Sequence, residues 1–258
     1  MKGARGFSGR STTFRPLAGH GPDQHVPKGS IVIIHLNGAT FRWRDPTPVQ
    51  TRRSVAMSSK GRWSIQYVAG EGPGEIKRPE GLLEFRTQLV ARNFPGVVAL
   101  QEQVGPIRYK VGKGRWTTTH IDIGLQLACG KRVGVSVKPE AIANTDEYLE
   151  RMAHIRVGAV PEHFDELVTV TERNIDPVAL HNAELLHSCC DRDQEADQAV
   201  AQLVAIMQEP TRILDLVRPA GLGGRANRAA VRLIARRVLE PVRHERIQPT
   251  TLVRRISV

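Results

Sequence analysis

The sequence predicts an α/β fold: a mixed sheet flanked by helices, preceded by a basic extension and followed by a small helical unit with a terminal hairpin. Three observations lead there. Between about residues 79 and 190, helix-period and strand-like segments follow one another as helix, four strands, helix, strand, helix. From residue 195 onward, short helical segments are separated by Pro and Gly. Before about residue 28 there is no periodicity at all, only Gly, Ser, Arg and Pro. Of the 258 residues 40% are hydrophobic and 24% charged, values that support a buried core and exclude a wholly disordered chain.

Residues 1–28 read as a flexible basic arm, and 29–78 as a β-rich extension and linker. There Ile31 to Leu36 and Trp63 to Val68 are strands, ended by Asn37-Gly38 and by the Gly70 to Gly74 stretch. After Pro79 a helix runs to Asn93, stopped by Pro95-Gly96, with Leu82, Phe85, Leu89 and Val90 on its buried side and Glu84 on the other. Val97 to Gln103 and Ile107 to Val111 are strands, and Gly112-Lys113-Gly114 turns the chain into a strand from Trp116 to Leu127. A second turn at Gly130-Lys131 leads into Val133 to Val137, closed by Lys138. Asn144 or Thr145 caps a helix to about Ile155, Leu167 to Val170 is a strand, and Pro177 opens a helix to Cys190.

The last unit, 191–258, has helices at Glu195 to Gln208, Arg212 to Val217 and about Gly224 to Leu239, then a hairpin within Pro241 to Val253. Three helices and a hairpin suggest a winged helix. On the third helix, Arg225, Arg228, Arg232 and Arg236 share one sector, and Ala226, Ala230, Leu233 and Ile234 take the opposite side. The arginine face is expected to meet DNA or a partner protein, as a recognition helix does.

The net charge of +11, from 37 Lys and Arg against 26 Asp and Glu, makes a polyanion the first partner to consider. The excess is at both ends: residues 1–83 carry 13 basic and 5 acidic side chains, 84–176 carry 12 of each, and from Pro210 onward eleven arginines face three acids. Three cysteines, Cys129, Cys189 and Cys190, exclude a disulfide framework or a four-ligand zinc site. Few aromatics, 5%, weigh against rows of base-stacking rings. With no long apolar run and no charged start followed by an apolar stretch, the expected location is the cytoplasm.

Asp122 and Lys138 lie on neighbouring strands joined by the Gly130 turn, so the hairpin aims both groups at one spot. A carboxylate that holds a hard cation, next to an amine that orients a water, is what phosphodiester hydrolysis requires. Glu84 on the preceding helix, Asp122, and the run Val135-Ser136-Val137-Lys138 resemble the PD-(D/E)XK nuclease core. More specifically, residues from about Pro79 to Leu186 resemble the TnsA endonuclease family, the strand-cleaving subunit of a heteromeric transposase. The resemblance runs through Glu80 to Glu84, Glu102-Gln103, Thr119 to Asp122, Val135 to Pro139, Thr171-Glu172 and His181 to Leu186.

The resemblance implies a restriction-endonuclease-like fold, a winged-helix-like C-terminal region, and cleavage of one DNA strand at transposon ends. It implies Mg2+, with Mn2+ as a substitute, held by Glu84 and Asp122, with Lys138 positioning the water and Gln103 in support. It implies as partners a DDE-type transposase or integrase subunit and an ATP-dependent transposition regulator, and a nucleoid-associated location. Two departures stand out: His120 occupies the place of the family's proline, and Ser136 that of a metal-contacting Glu or Gln. A hydroxyl lacks the carboxylate's charge, so the expected compensation is an acid from the next helix, Glu150 or Glu147. The competing expectation is a DNA-binding scaffold or regulator that keeps the fold without the chemistry.

Overall fold

The computed structural model describes residues 31–36, 39–44, 46–48, 65–71, 74–112 and 114–256. The expected basic arm lies outside them. The chain divides into two compact units between Asp45 and Pro46. In the first, β1 (Ile31–Leu36) and β2 (Ala39–Arg44) form an antiparallel hairpin that pairs Ile31 with Arg44 and Leu36 with Ala39.

The second unit begins with a small antiparallel pair, β3 (Tyr67–Ala69) and β4 (Glu75–Lys77), and then α1 (Leu82–Asn93). The central sheet follows: β5 (Val97–Val111), β6 (Arg115–Leu127) and β7 (Arg132–Val137) are antiparallel neighbours. After α2 (Glu140–Ala143) and α3 (Asp146–Ala159), β8 (Glu166–Val170) returns parallel to β7, giving the order β5-β6-β7-β8. A parallel return requires a crossover, which α3 supplies. Thr145 caps it, accepting the Tyr148 N–H at 3.3 Å. The architecture is therefore mixed α/β, a mixed sheet flanked by helices.

The two expected strands at 97–103 and 107–111 are one. Gln103 takes φ 49° and the register shifts between Val104 and Ile107, so the ladder steps by a residue without ending. The step turns the strand over: Glu102 reaches α1, whereas Val104 joins the cluster beneath α3.

Each sheet face has its own core. Ile123, Val135 and Val137, with Leu83 of α1, fill one face. Ile107, Tyr109, Ile121, Phe164 and Leu167, with Ile155 and Ala159 of α3, fill the other. Fully buried Ile107, Ile123 and Leu167 each contribute about 1.5–3 kcal/mol through lost water contact. Gly134 is required because a Cβ there would stand 2.7 Å from the Phe164 ring.

Past the sheet, α4 (Pro177–Ser188) starts on Pro177 with Asp176 as its cap, bonded to the N–H groups of Val178 and Ala179. It serves two cores. Ala183 packs with Leu89 and Tyr67, and Leu185 and Leu186 pack on the C-terminal cluster. That cluster is built by α5 (Gln194–Ala205), α6 (Ile213–Val217) and α7 (Gly224–Ala235). Three short strands, β9 (Thr211–Arg212), β10 (Leu239–Pro241) and β11 (Leu252–Arg255), close it as a sheet of order β10-β11-β9. The terminal hairpin is thus β10 with β11, and β9 joins it as a third strand. Among the described residues no helix is long and apolar enough to cross a membrane.

Candidate active site

Asp122 stands where two strands part. The β6–β7 ladder runs from Gln126 opposite Arg132 to Ile123 opposite Val135. One residue further along β6, Asp122 turns its carboxylate into the gap. Its Oδ2 accepts the Val137 N–H at 2.7 Å, the Ser136 hydroxyl at 3.2 Å and Lys138 Nζ at 3.3 Å. Lys138 Nζ also donates to the Val137 carbonyl at 2.9 Å. The Asp122 side chain keeps 17% of its surface and that of Lys138 31%, so the pair lies at the edge of the core and open to solvent.

Glu84 comes from the first turn of α1. Gly81, the residue before the helix, offers no side-chain cap, and Glu84 Oε2 reaches back to accept the Glu80 N–H at 3.0 Å. This corrects the sequence reading of the helix: Glu84, Thr87 and Gln88 are buried with Leu89, while Leu82 is 49% exposed. The helix is covered on two sides, so its polar stripe faces the sheet and its apolar stripe faces Tyr67 and α4. Burial pushes the Glu84 carboxyl up to about 8, with the charges of Asp122, Glu80 and Glu102 adding to the rise. Glu84 thus lies buried within reach of the Asp122 charge.

Behind them lies a polar network that sequence reasoning missed. Gln88, fully buried, donates from Nε2 to Glu102 Oε1 at 2.9 Å and to Glu84 Oε1 at 3.4 Å. Its Oε1 accepts the Tyr67 hydroxyl at 2.8 Å, and Glu102 Oε1 also accepts the Arg78 N–H at 3.0 Å. Burial raises the Tyr67 hydroxyl above its ordinary range, with Glu102 and Glu84 contributing, so it remains a donor. A readable signal was there: Gln88 is four residues from Glu84 on the same helix face. Gln103, also buried, lies in register beside Asp122, between the Glu102–Ile123 and Val104–Ile121 pairs.

Asp122, Ser136 and Lys138 are therefore brought together at the end of the β6–β7 ladder, with Gln103 beside Asp122 in register and Glu84 joined to Glu102 through Gln88. Glu147 and Glu150 of α3 lie outside this hydrogen-bonded set. Both are exposed on α3; Glu150 lies 3.8 Å from His154, and Tyr148 turns inward to Thr169. Among the described residues, no group of three or more His, Cys, Asp or Glu side chains surrounds a common point.

The arginine sector of α7 is also corrected. Arg225 is bonded to Asp193 at 2.7 Å and to Glu195 at 2.7 Å, and Arg228 to the Ser188 carbonyl at 2.6 Å. Arg232 is 2% exposed and meets Asp197 at 2.6 Å and the Cys189 carbonyl at 3.2 Å. Arg236 reaches Glu71 at 2.6 Å, a contact that ties the β3–β4 turn to α7. The acids of α5 occupy this face, and the Arg225 guanidinium holds Asp193 down at about 2. Arg232 is thus packed between helices, Arg236 is half-buried against the β3–β4 turn, and Arg225 and Arg228 stay exposed while bonded to acids and a carbonyl of the protein.

Neither models of protein families nor curated proteins match the sequence.

Proposed function

We propose that the protein is a metal-dependent DNA endonuclease of the TnsA type, hydrolysing one strand at transposon ends beside a DDE-type transposase and an ATP-dependent regulator. The observation that carries this reading is the meeting of Asp122 and Lys138 at the solvent-open end of the β6–β7 ladder, with the buried Glu84 carboxyl within reach of the Asp122 charge. In support, the mixed sheet flanked by α1 and α3, and the three helices closed by a short sheet at the C-terminal end, are the element orders that a restriction-endonuclease-like domain and a winged helix would need.

The donors fit Mg2+ or Mn2+. Burial, with a smaller contribution from the Asp122 charge, raises the proton affinity of Glu84, and a carboxyl pair of this kind would also favour a hard divalent cation, which retains several waters of its own. When bound, such an ion supplies charge neutralisation at the phosphate and a more acidic water. Glu84 and Asp122 would be its protein ligands. Ser136 and the Val137 N–H fix the Asp122 carboxylate through Oδ2. Lys138, held by Asp122 and the Val137 carbonyl, presents its ammonium where a water or the leaving oxygen would be met.

A second reading, a scaffold or regulator that binds DNA without cutting it, is favoured by Ser136, which donates a hydrogen bond to Asp122 where a further acidic ligand would be expected. The two part in one assay: the purified chain, alone and with a DDE-type partner, on supercoiled and transposon-end DNA with Mg2+ or Mn2+. Nicking by the wild type that is lost in Lys138→Ala, with DNA binding kept, supports the nuclease. Absence of nicking under every condition supports the scaffold.

A further inference from the structure

We infer that the outer half of the β5–β6 hairpin is the surface that grips the DNA duplex, through its phosphate backbone; this rests on the DNA-cleaving reading above. From Gln103 to Ile121 the sequence has four lysines and arginines and no acid. The register sets Arg108 opposite Thr118 and Lys110 opposite Trp116, so four exposed residues share one face of the ribbon. Arg108 and Lys110 both lie over the Trp116 ring, at 4.5 and 4.9 Å from its centre, and that ring is 50% exposed. Arg115 adds a further exposed cation at the outer end.

Two observations set this surface apart from the arginines of α7. The arginines of α7 are each bound to a carboxylate or a carbonyl of the protein, whereas among the described residues Arg108, Lys110 and Arg115 form no ion pair. Cations without an internal counter-charge can neutralise phosphates and so release the counterions condensed on DNA. The opposite face of the ribbon is already covered, since Ile107 and Tyr109 pack on Ile155 and Ala159 of α3. The free face is thus turned away from α3, to the side of the sheet on which α1 carries Glu84.

The same strand carries Asp122. Six residues separate it from Trp116, at most about 20 Å along an extended chain. At roughly 3.4 Å per base pair, a duplex along the ribbon is held about six base pairs from the phosphate at Asp122.

The test is a titration of a labelled DNA duplex with the full chain in EDTA, followed by fluorescence anisotropy at several salt concentrations. Arg108→Gln with Lys110→Gln should weaken binding about tenfold and reduce the slope of log affinity against log salt by about 2. The charge-keeping pair Arg108→Lys with Lys110→Arg should retain the slope, and the exposed Arg218→Gln on the C-terminal unit should change little. Unaltered affinity in the double glutamine variant, an equal loss in Arg218→Gln, or tighter binding to phosphatidylserine vesicles than to DNA would overturn the inference. Nicking with Mg2+ separates the two claims. A protein that binds through the ribbon yet never nicks sinks the nuclease and leaves the grip, whereas nicking with ribbon-independent binding does the reverse.

Discussion

Asp122 Oδ2 accepts the main-chain N–H of Val137 at 2.7 Å, taking the place that a neighbouring strand's carbonyl holds elsewhere in the ladder. The carboxylate is therefore a structural plug as well as a proposed ligand, and substitutions separate the roles. Asp122→Asn keeps a carbonyl oxygen for Val137 and should stay within about 1 kcal/mol of wild-type stability. Asp122→Ala leaves the Val137 N–H and Lys138 without that partner and should lose about 1–3 kcal/mol in urea unfolding. Both should abolish nicking; activity surviving in Asp122→Asn would remove Asp122 from the chemistry.

Glu84 titrates in the opposite sense to most carboxylates. Its folded value, about 8, lies above the ordinary 4.5, so the folded state holds the proton more tightly than the unfolded chain does. The stabilisation is complete below about pH 4.5 and is lost as pH rises through about 8. Unfolding free energy measured in EDTA between pH 5 and 9 should fall by on the order of a few kcal/mol. Glu84→Gln, which cannot ionise, should flatten the profile, and a wild type already flat would contradict the burial described.

Gln88 joins three buried groups, so its loss should propagate. Gln88→Leu removes the donor to Glu102 and the acceptor for Tyr67, and thermal unfolding should report a loss of about 2–4 kcal/mol. Tyr67→Phe removes one of those bonds and should lose about 1 kcal/mol. Equal effects from the two changes would mean that Gln88 does not organise the network.

Arg232 should behave as a core residue. Arg232→Ala leaves the largely buried Asp197 with only the longer 3.5 Å contact to Arg236 and should destabilise the protein by about 2–4 kcal/mol. DNA affinity of the folded fraction, measured at low temperature, should stay within about twofold of the wild type. A large loss of affinity without loss of stability would restore α7 as a DNA-contacting helix.

The element order from α1 to α4 was legible in the sequence because turn residues such as Gly130-Lys131 and caps such as Thr145 and Asp176 act locally. The meeting of Asp122 with Lys138 was legible for the same reason, a short hairpin with a definite turn. Three features were not. The positive φ at Gln103 fuses two strands and reverses their faces, and no residue type announces it. Glu84 reads as solvent-facing because amphipathic reasoning assumes one covered side, whereas α1 has two. The arginines of α7 read as a DNA face because periodicity reports a common sector and not what lies opposite it. The counter-signal was Asp193, Glu195 and Asp197, spaced by two at the start of α5.

At Gly158 of α3, a Cβ would stand 2.4 Å from the Arg108 carbonyl and 3.1 Å from the Tyr109 Cβ, so the helix axis lies as close to the ribbon as a backbone allows. Contact at that range fixes the spacing between the hairpin and its support. On the reading proposed above, the interval between grip and cut then belongs to the polypeptide, and α3 with the hairpin works as a ruler. A methyl group at position 158 would shift the graduation, moving the nick along the DNA before it weakened the hold.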